Sequence, residues 1–238
     1  DGSYGLNSAN ANSTLVNSGT ITTSGTDSYG IGSTNSGSTL SNSGTITTSG
    51  LRSRGMYADG NGVTAVNSGT ITTSGSDGEG MRSDGNNSTL VNSGAITSTN
   101  ADGIRSVGSG SILTVSDGGT VTVSGAGRAG IRSTGANGTI NVSGKVIATG
   151  SATEAIVGSS NQTLNIKPGA TIVGTINLGA GTNVVNIDTS AGARSSTLSI
   201  SNAGTVNTSA GGEGLVRQSG STVVIADPTG LAANRAAL

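Results

Sequence analysis

The chain has 238 residues, 11 basic and 12 acidic side chains, 1 % aromatics and no Phe or Trp, which excludes a core of large side chains. Cys and His are absent, which excludes disulfides, thiol chemistry, thiolate metal sites and the commonest general base. The near-neutral balance gives no electrostatic case for nucleic acid, and no apolar run approaches the ~20 residues of a membrane span. With 42 glycines and 32 % hydrophobic residues, the composition suits either a disordered low-complexity chain or a thin solenoid, and periodicity decides between them. No signal peptide is visible, and the sequence reads as an excised piece.

The segment Val16-Asn17-Ser18-Gly19-Thr20-Ile21-Thr22-Thr23-Ser24-Gly25 recurs at Ser41–Gly50, Val66–Gly75 and Val91–Asn100, a constant step from each start to the next. It continues, degraded, at Ser116–Gly125 and Asn141–Gly150. A second element, Gly5-Leu6-Asn7-Ser8, returns at Gly30, Gly55, Gly80, Gly103 and Gly130. Two residues are lost before Gly103 and read as regained before Leu113, which confines the indel to turns. Each repeat therefore predicts three short strands, with signatures Gly-Ile-Arg-Ser, Ser-Thr-Leu-Val-Asn and Thr-Ile-Thr-Thr. Alternation turns every second residue inward.

The inward columns are Leu6, Ile31, Met56, Met81, Ile104, Ile131 and Ile156; Leu15, Leu40, Ala65, Leu90, Val115 and Ile140; and Ile21, Ile46, Ile71, Ile96, Val121 and Val146. Such columns are buried only when coils stack, so the expected fold is an all-β, parallel β-helix (β-solenoid) with about three short strands per ~25-residue coil. About nine coils at the ~4.8 Å strand spacing give a rod on the order of 40 Å long. Gly19, Gly44, Gly69, Gly94, Gly119 and Gly144 share one turn position, where a positive φ would call for glycine. Asn17, Asn42, Asn67 and Asn92 form a further column, continued by Asp117, and are expected to act as a structural amide ladder.

The pattern changes near residue 160. Asn165-Ile166-Lys167-Pro168-Gly169 shifts the register, and Thr171–Gly179 reads as one longer strand. Val184–Asp188 is a further strand, the repeat frame returns at Ile200–Val206 with Gly214-Leu215 after it, and Thr222–Ala226 is the last strand. Asp227-Pro228-Thr229-Gly230 is a turn, and Leu231–Leu238 is Ala-rich and helix-permissive. The divisions are regular repeats over 1–160, atypical coils and a cap over 161–226, and the start of a helix over 227–238.

Val223-Val224-Ile225-Ala226-Asp227-Pro228-Thr229-Gly230-Leu231-Ala232 resembles the junction between passenger and linker helix in bacterial autotransporters. Gly174-Thr175-Ile176-Asn177-Leu178-Gly179-Ala180-Gly181 is similar to the final passenger coils of that family, and the Asn-Ser-Gly-Thr-Ile repeat is common in its adhesin-like passengers. The resemblance is specific near residues 165–235 and one of style elsewhere. It implies a right-handed helix, secretion through an outer-membrane barrel, a place on the Gram-negative cell surface or release from it, and a C-terminal region that folds first.

Chemistry finds few supports. A Ser-His-Asp triad needs a His, and the only lysines, Lys145 and Lys167, accompany no Ser-Lys motif. Glu79, Glu154, Glu213 and nine Asp form no tight constellation on one column. A polysaccharide-active β-helix enzyme would need clustered acids, so no enzyme, no metal site and no cofactor are expected. The Gly-Gly-x-Gly-x-Asp calcium repeat is missing. Arg82, Arg105 and Arg132 each follow an inward residue, so they should face outward on successive coils as a basic stripe for sulfated glycans or an acidic protein, with Asp84 and Asp102 near enough to neutralise it. Thr20/Thr22, Thr45/Thr47, Thr70/Thr72 and Thr120/Thr122 form an outward Thr-x-Thr face of the kind ice-binding solenoids carry, broken at Ala95 and ending at Lys145.

The expected function is a surface-displayed passenger acting in adhesion, self-association or biofilm formation. Its partner would be a host or neighbouring-cell surface protein or glycan, or the chain itself. The alternative is a passive stalk for a distal N-terminal domain, with ice binding and polysaccharide chemistry as minor readings.

Overall fold

A computed structural model describes residues 2–190, 196–209 and 216–225. All elements among them are strands, stacked into a β-solenoid of about eight turns. The strands fall into sheet A with 11, sheet B with 9 and sheet C with 7. Each regular coil contributes a single strand to every sheet, as in Tyr29–Ser33, Thr39–Asn42 and Thr45–Thr48.

The inward columns align across the parallel ladders. Leu6, Ile31, Met56, Met81, Ile104, Ile131 and Ile156 are partners in sheet A. Ile21, Ile46, Ile71, Ile96, Val121 and Val146 are partners in sheet C. Apart from Leu6 and Ile21, which are half-buried in the first coil, these side chains are fully buried. Each buried Ile or Leu contributes about 1.5–3 kcal/mol, and only stacking supplies that burial, because a single coil is one side chain thick.

Sheet B departs from expectation at one coil. Leu90 pairs with Leu113, and Val115 pairs with Asn92. Leu113 therefore belongs to the apolar column, and Val115, not Asp117, follows the asparagines. The two missing residues are regained after Val115 and before Val121, because Ile96 still pairs with Val121, a full repeat further on. They are absorbed at Asp117-Gly118, where Gly118 takes φ +78° and Gly119 N–H closes the turn onto Ser116 C=O at 2.9 Å.

The corner glycines have a different cause from the one expected. Gly19, Gly44, Gly69, Gly94, Gly119 and Gly144 are not among the positive-φ residues. A Cβ on Gly44 would strike Gly19 C=O, and one on Gly69 would strike Gly44 C=O. The limit is the distance between successive coils. The left-handed conformation falls instead at other turns, such as the one entering sheet B, on Asn12, Gly37, Gly62, Asn87, Gly110, Asn137 and Asn161. Asn is among the few non-glycine residues that tolerate it.

Asn17 donates through Nδ2 to Asn42 Oδ1 at 2.8 Å, Asn42 to Asn67 at 2.8 Å and Asn67 to Asn92 at 2.7 Å. Each amide also donates to the carbonyl of the glycine two residues on, at 3.1–3.3 Å. All four residues are buried, so this column satisfies inward-facing backbone acceptors at the corner.

The segment read as one long strand over Thr171–Gly179 is two. Thr171–Val173 is the last strand of sheet C, and Thr175–Asn177 belongs to sheet A. The break is Gly174 at φ +122°, where a Cβ would crowd Ala155 N at 2.9 Å and Ala148 Cβ at 3.0 Å. Beyond it the described strands join only sheets A and B. In sheet A, Ser196–Ser201 then pairs antiparallel with Thr222–Ile225, which pairs antiparallel with Val216–Ser219. The turn Asp227–Gly230, the helix expected over 227–238, Ala226 and Gly214-Leu215 lie outside the described residues.

Candidate functional site

The outer face of sheet A carries two neighbouring columns unlike the rest of the surface. One consists of the residues that precede the stacked glycines: Tyr4, Tyr29, Arg54, Glu79, Asp102, Ala129 and Glu154. The glycines are required because a Cβ on Gly55 would meet Ile71 and lie 2.6 Å from Gly80 C=O. The second column faces outward one residue after the inward apolar position. It runs Gly32, Tyr57, Arg82, Arg105, Arg132 and Val157, in register on successive strands.

The tyrosines, the only three in the chain, gather at one end. The Tyr4 and Tyr29 centroids are 4.9 Å apart at 72°, and those of Tyr29 and Tyr57 are 4.9 Å apart at 49°. Gly32 leaves room for the Tyr4 ring, which a Cβ there would strike. The Arg54 guanidinium lies 4.5 Å from the Tyr57 centroid and 5.2 Å from that of Tyr29, and it donates through Nη1 to Tyr29 Oη at 2.9 Å. This stack gives the cluster cation–π attraction in a partly desolvated setting.

An ionic ladder continues from there. Arg54 Nε donates to Glu79 Oε2 at 3.0 Å, and Arg82 Nη1 to Glu79 Oε1 at 2.9 Å. Arg82 Nε donates to Asp84 Oδ1 at 2.7 Å, and Tyr57 Oη to Asp84 Oδ2 at 2.9 Å. Asp102 accepts from Ala129 N–H and from Arg132 Nε, both at 2.7 Å. Arg132 also donates to Gly127 C=O at 3.0 Å and stands 3.7 Å from Glu154. Burial, then the charge of Asp84 and its hydrogen bond, hold the Tyr57 hydroxyl well above the ordinary phenol range. Burial followed by Tyr29 raises Tyr4 in the same direction. For Arg82 burial acts downward, but the carboxylates of Asp84 and Glu79 outweigh it and leave the guanidinium more firmly protonated than usual.

The three arginines of the expected outward stripe thus lie side by side in the ladder, but they are not free. Carboxylates sit beneath them: Glu79 and Asp102 are 1 % and 2 % exposed, whereas the arginine side chains are 18–28 % exposed. Asp84 and Asp102 are legible in the sequence as neutralisers. Glu79, Glu154 and Arg54 are not, although each occupies the position before a stacked Gly or Ala, which is the signal that finds them. Outside the two columns, the ion pairs among the described residues are Arg52–Asp27 at 2.6 Å and Arg128–Asp77 at 2.8 Å, in the segments that lead into sheet A.

The other faces are chemically plainer. On sheet C, Thr20, Thr45, Thr70, Ala95 and Thr120 are in register, as are Thr22, Thr47, Thr72, Thr97 and Thr122. On sheet B a second amide ladder, not anticipated from the sequence, runs outside: Asn165 donates to Asn141 at 2.7 Å, Asn186 to Asn165 at 2.8 Å and Asn207 to Asn186 at 2.9 Å. Among the described residues no group of three or more acids could hold a metal ion, and no helix is long and apolar enough to cross a membrane. The geometry of the strip supports extended polar contact along a rod face.

Residues 2–116 match the family model of the BigA third pectate lyase-like domain, a stretch that covers just under half of the chain. It takes in the tyrosine cluster, Arg54, Glu79, Arg82, Asp84, Asp102 and Arg105, and stops short of Arg132 and Glu154. "Pectate lyase-like" describes a fold, and the chain is in that respect similar to an autotransporter passenger-like β-helix. No curated protein and no solved structure matches the chain.

Proposed function

We propose that the chain is a surface-displayed, autotransporter-type passenger that adheres to a cell-surface partner or to other copies of itself through the outer face of sheet A, and that it is not an enzyme. The observation that carries this reading is the strip from Tyr4 to Glu154. It gathers all three tyrosines, four arginines and four carboxylates on one face of a rod that is otherwise covered mostly by Thr, Ser, Asn and Gly. Burying paired charges is a poor route to stability, and aromatic and Arg side chains are the residue types that dominate contact surfaces. The similarity of residues 2–116 to a domain of BigA, an autotransporter-like adhesin passenger, supports the same placement at a bacterial surface.

A second reading, the passive stalk, is favoured by one observation: the strip sets four arginines against four carboxylates and so carries no net charge. Cell-binding and self-association assays of the purified chain decide between them. Adhesion predicts saturable binding that is lost in an Arg82→Ser, Arg132→Ser double variant that still folds. A stalk predicts no binding by either protein.

A further inference from the structure

Within the strip one guanidinium lacks the partners its neighbours have. Glu79 is engaged at 2.9–3.0 Å by Arg82 and Arg54, Asp84 by Arg82 and Tyr57, and Asp102 by Arg132 and a backbone N–H. Arg105 sits between Arg82 and Arg132 on the ladder, yet its Nη1 is 3.5 Å from Glu79 and 4.0 Å from Asp102. Its Nε is buried with no hydrogen-bond partner. A buried unsatisfied donor on a charged group is costly, and both of these carboxylates are already engaged at shorter range. At 28 % exposed, the Arg105 side chain is also the most accessible of the three.

We infer that Arg105 receives an anionic group of an acidic polysaccharide, a carboxylate or sulfate, with Arg82 and Arg132 flanking it; this rests on the adhesive reading of sheet A and names its ligand class. With its Nε enclosed, the Arg105 guanidinium meets such an oxyanion through its terminal Nη groups, whose planar pair still matches a carboxylate or sulfate. The buried Glu79 and Asp102 hold three like charges at successive strands, ~4.8 Å apart along the rod. That spacing suits a linear polymer that bears charge at intervals, and the rod axis gives it a track. A saccharide fits better than an acidic protein because protein interfaces centre on a buried apolar core, and beside Arg105 the exposed large apolar side chain is Val107 alone, just past the end of its strand.

The test is binding of the intact chain to alginate, heparin, neutral dextran and poly-glutamate across a salt series. The expected result is binding to alginate or heparin that weakens with salt, with none to dextran; alginate alone assigns a carboxylate and heparin alone a sulfate. Arg105→Gln should weaken binding about tenfold or more, whereas Lys145→Gln, at an exposed position on the outer face of sheet C, should not change it. Should Arg105→Gln fail to fold, Val107→Glu places a competing carboxylate next to Arg105 at an exposed position and should abolish binding. Unchanged affinity in a folded Arg105→Gln or Val107→Glu variant overturns the inference, as does absence of binding to any anionic polymer. Poly-glutamate bound as tightly as the glycans overturns the ligand class in favour of an acidic polypeptide. If cell binding or self-association survives while these polymers are ignored, only the ligand assignment fails; if the chain binds neither cells nor itself, the adhesive reading falls with it.

Discussion

Sheet B carries an amide ladder in both halves of the rod, but on opposite faces. In the first four coils Asn17, Asn42, Asn67 and Asn92 point inward, and Val16, Ser41, Val66 and Val91 point out. From Val115 onward the inner position becomes Val115, Val142, Ile166 and Ile187, while the outer one becomes Thr114, Asn141, Asn165, Asn186 and Asn207. The backbone pairing is the same in both halves, so the swap isolates what the side chain does. Inside, an amide offsets its burial cost by bonding to the carbonyls of the corner and to its neighbours. Outside, the same stacking bonds form in competition with water and contribute less. The corner tolerates either solution because its N–H groups are satisfied by the preceding coil in both halves: Gly44 N–H bonds to Asn17 C=O and Gly144 N–H to Val115 C=O.

The inside–outside distinction is tested most severely in sheet C. Ile71→Asp is expected to cost about 4 kcal/mol or more, since the charge would be buried without a partner. Thr72→Asp, one residue on and facing out, should stay within about 0.5 kcal/mol. Equal losses in denaturant melts would mean that the strand phase is wrong by one residue. Next in size is Glu79→Ala, which tests whether the outer strip behaves energetically like an interior. It would leave Arg54 and Arg82 facing each other over a buried gap, and a loss of about 3 kcal/mol is expected. A loss near that of an exposed ion pair would show the strip to be solvated.

The two ladders can then be set against each other. Asn67→Ala should cost about 2 kcal/mol and Asn186→Ala about 0.5 kcal/mol, read from melts of the two variants, and equal costs would remove the distinction drawn above. The smallest effect concerns Tyr57. Its folded pKa lies above the phenol value of about 10, through burial and Asp84. The associated stability is therefore present below pH ~10 and is lost as pH rises through the folded pKa. Ultraviolet titration should show delayed phenolate formation, and Asp84→Asn should bring some of that signal back toward pH ~10.

Much of the first half is legible because its period is constant. The fixed repeat places Leu6, Leu15 and Ile21 above their counterparts without any knowledge of the turns. Legibility fails where turn length varies. Asn141, Asn165, Asn186 and Asn207 are separated by steps of 24, 21 and 21, so no fixed period reveals them as a column. The same variation misplaces Val115 and Asp117. Gly174 hides a corner inside what reads as one apolar run, because sequence alternation does not register a change of sheet. The arginine column is readable from Ile-Arg-Ser, but the carboxylates beneath it lie on the far side of a glycine that breaks the alternation, so Glu79 and Arg54 do not stand out.

The parallel ladders have a mechanical consequence. Their hydrogen bonds point along the rod axis, from each coil to the next, so a pull applied to the two ends loads the bonds between two coils at a time and never the whole sheet. Under tension the rod should come apart by peeling from an end. Each regular coil would release its own length of chain, about 80 Å when fully extended, while the coils behind it keep their stacking. Such a rod yields in instalments, dissipating a sudden load and keeping the remaining face of sheet A in place.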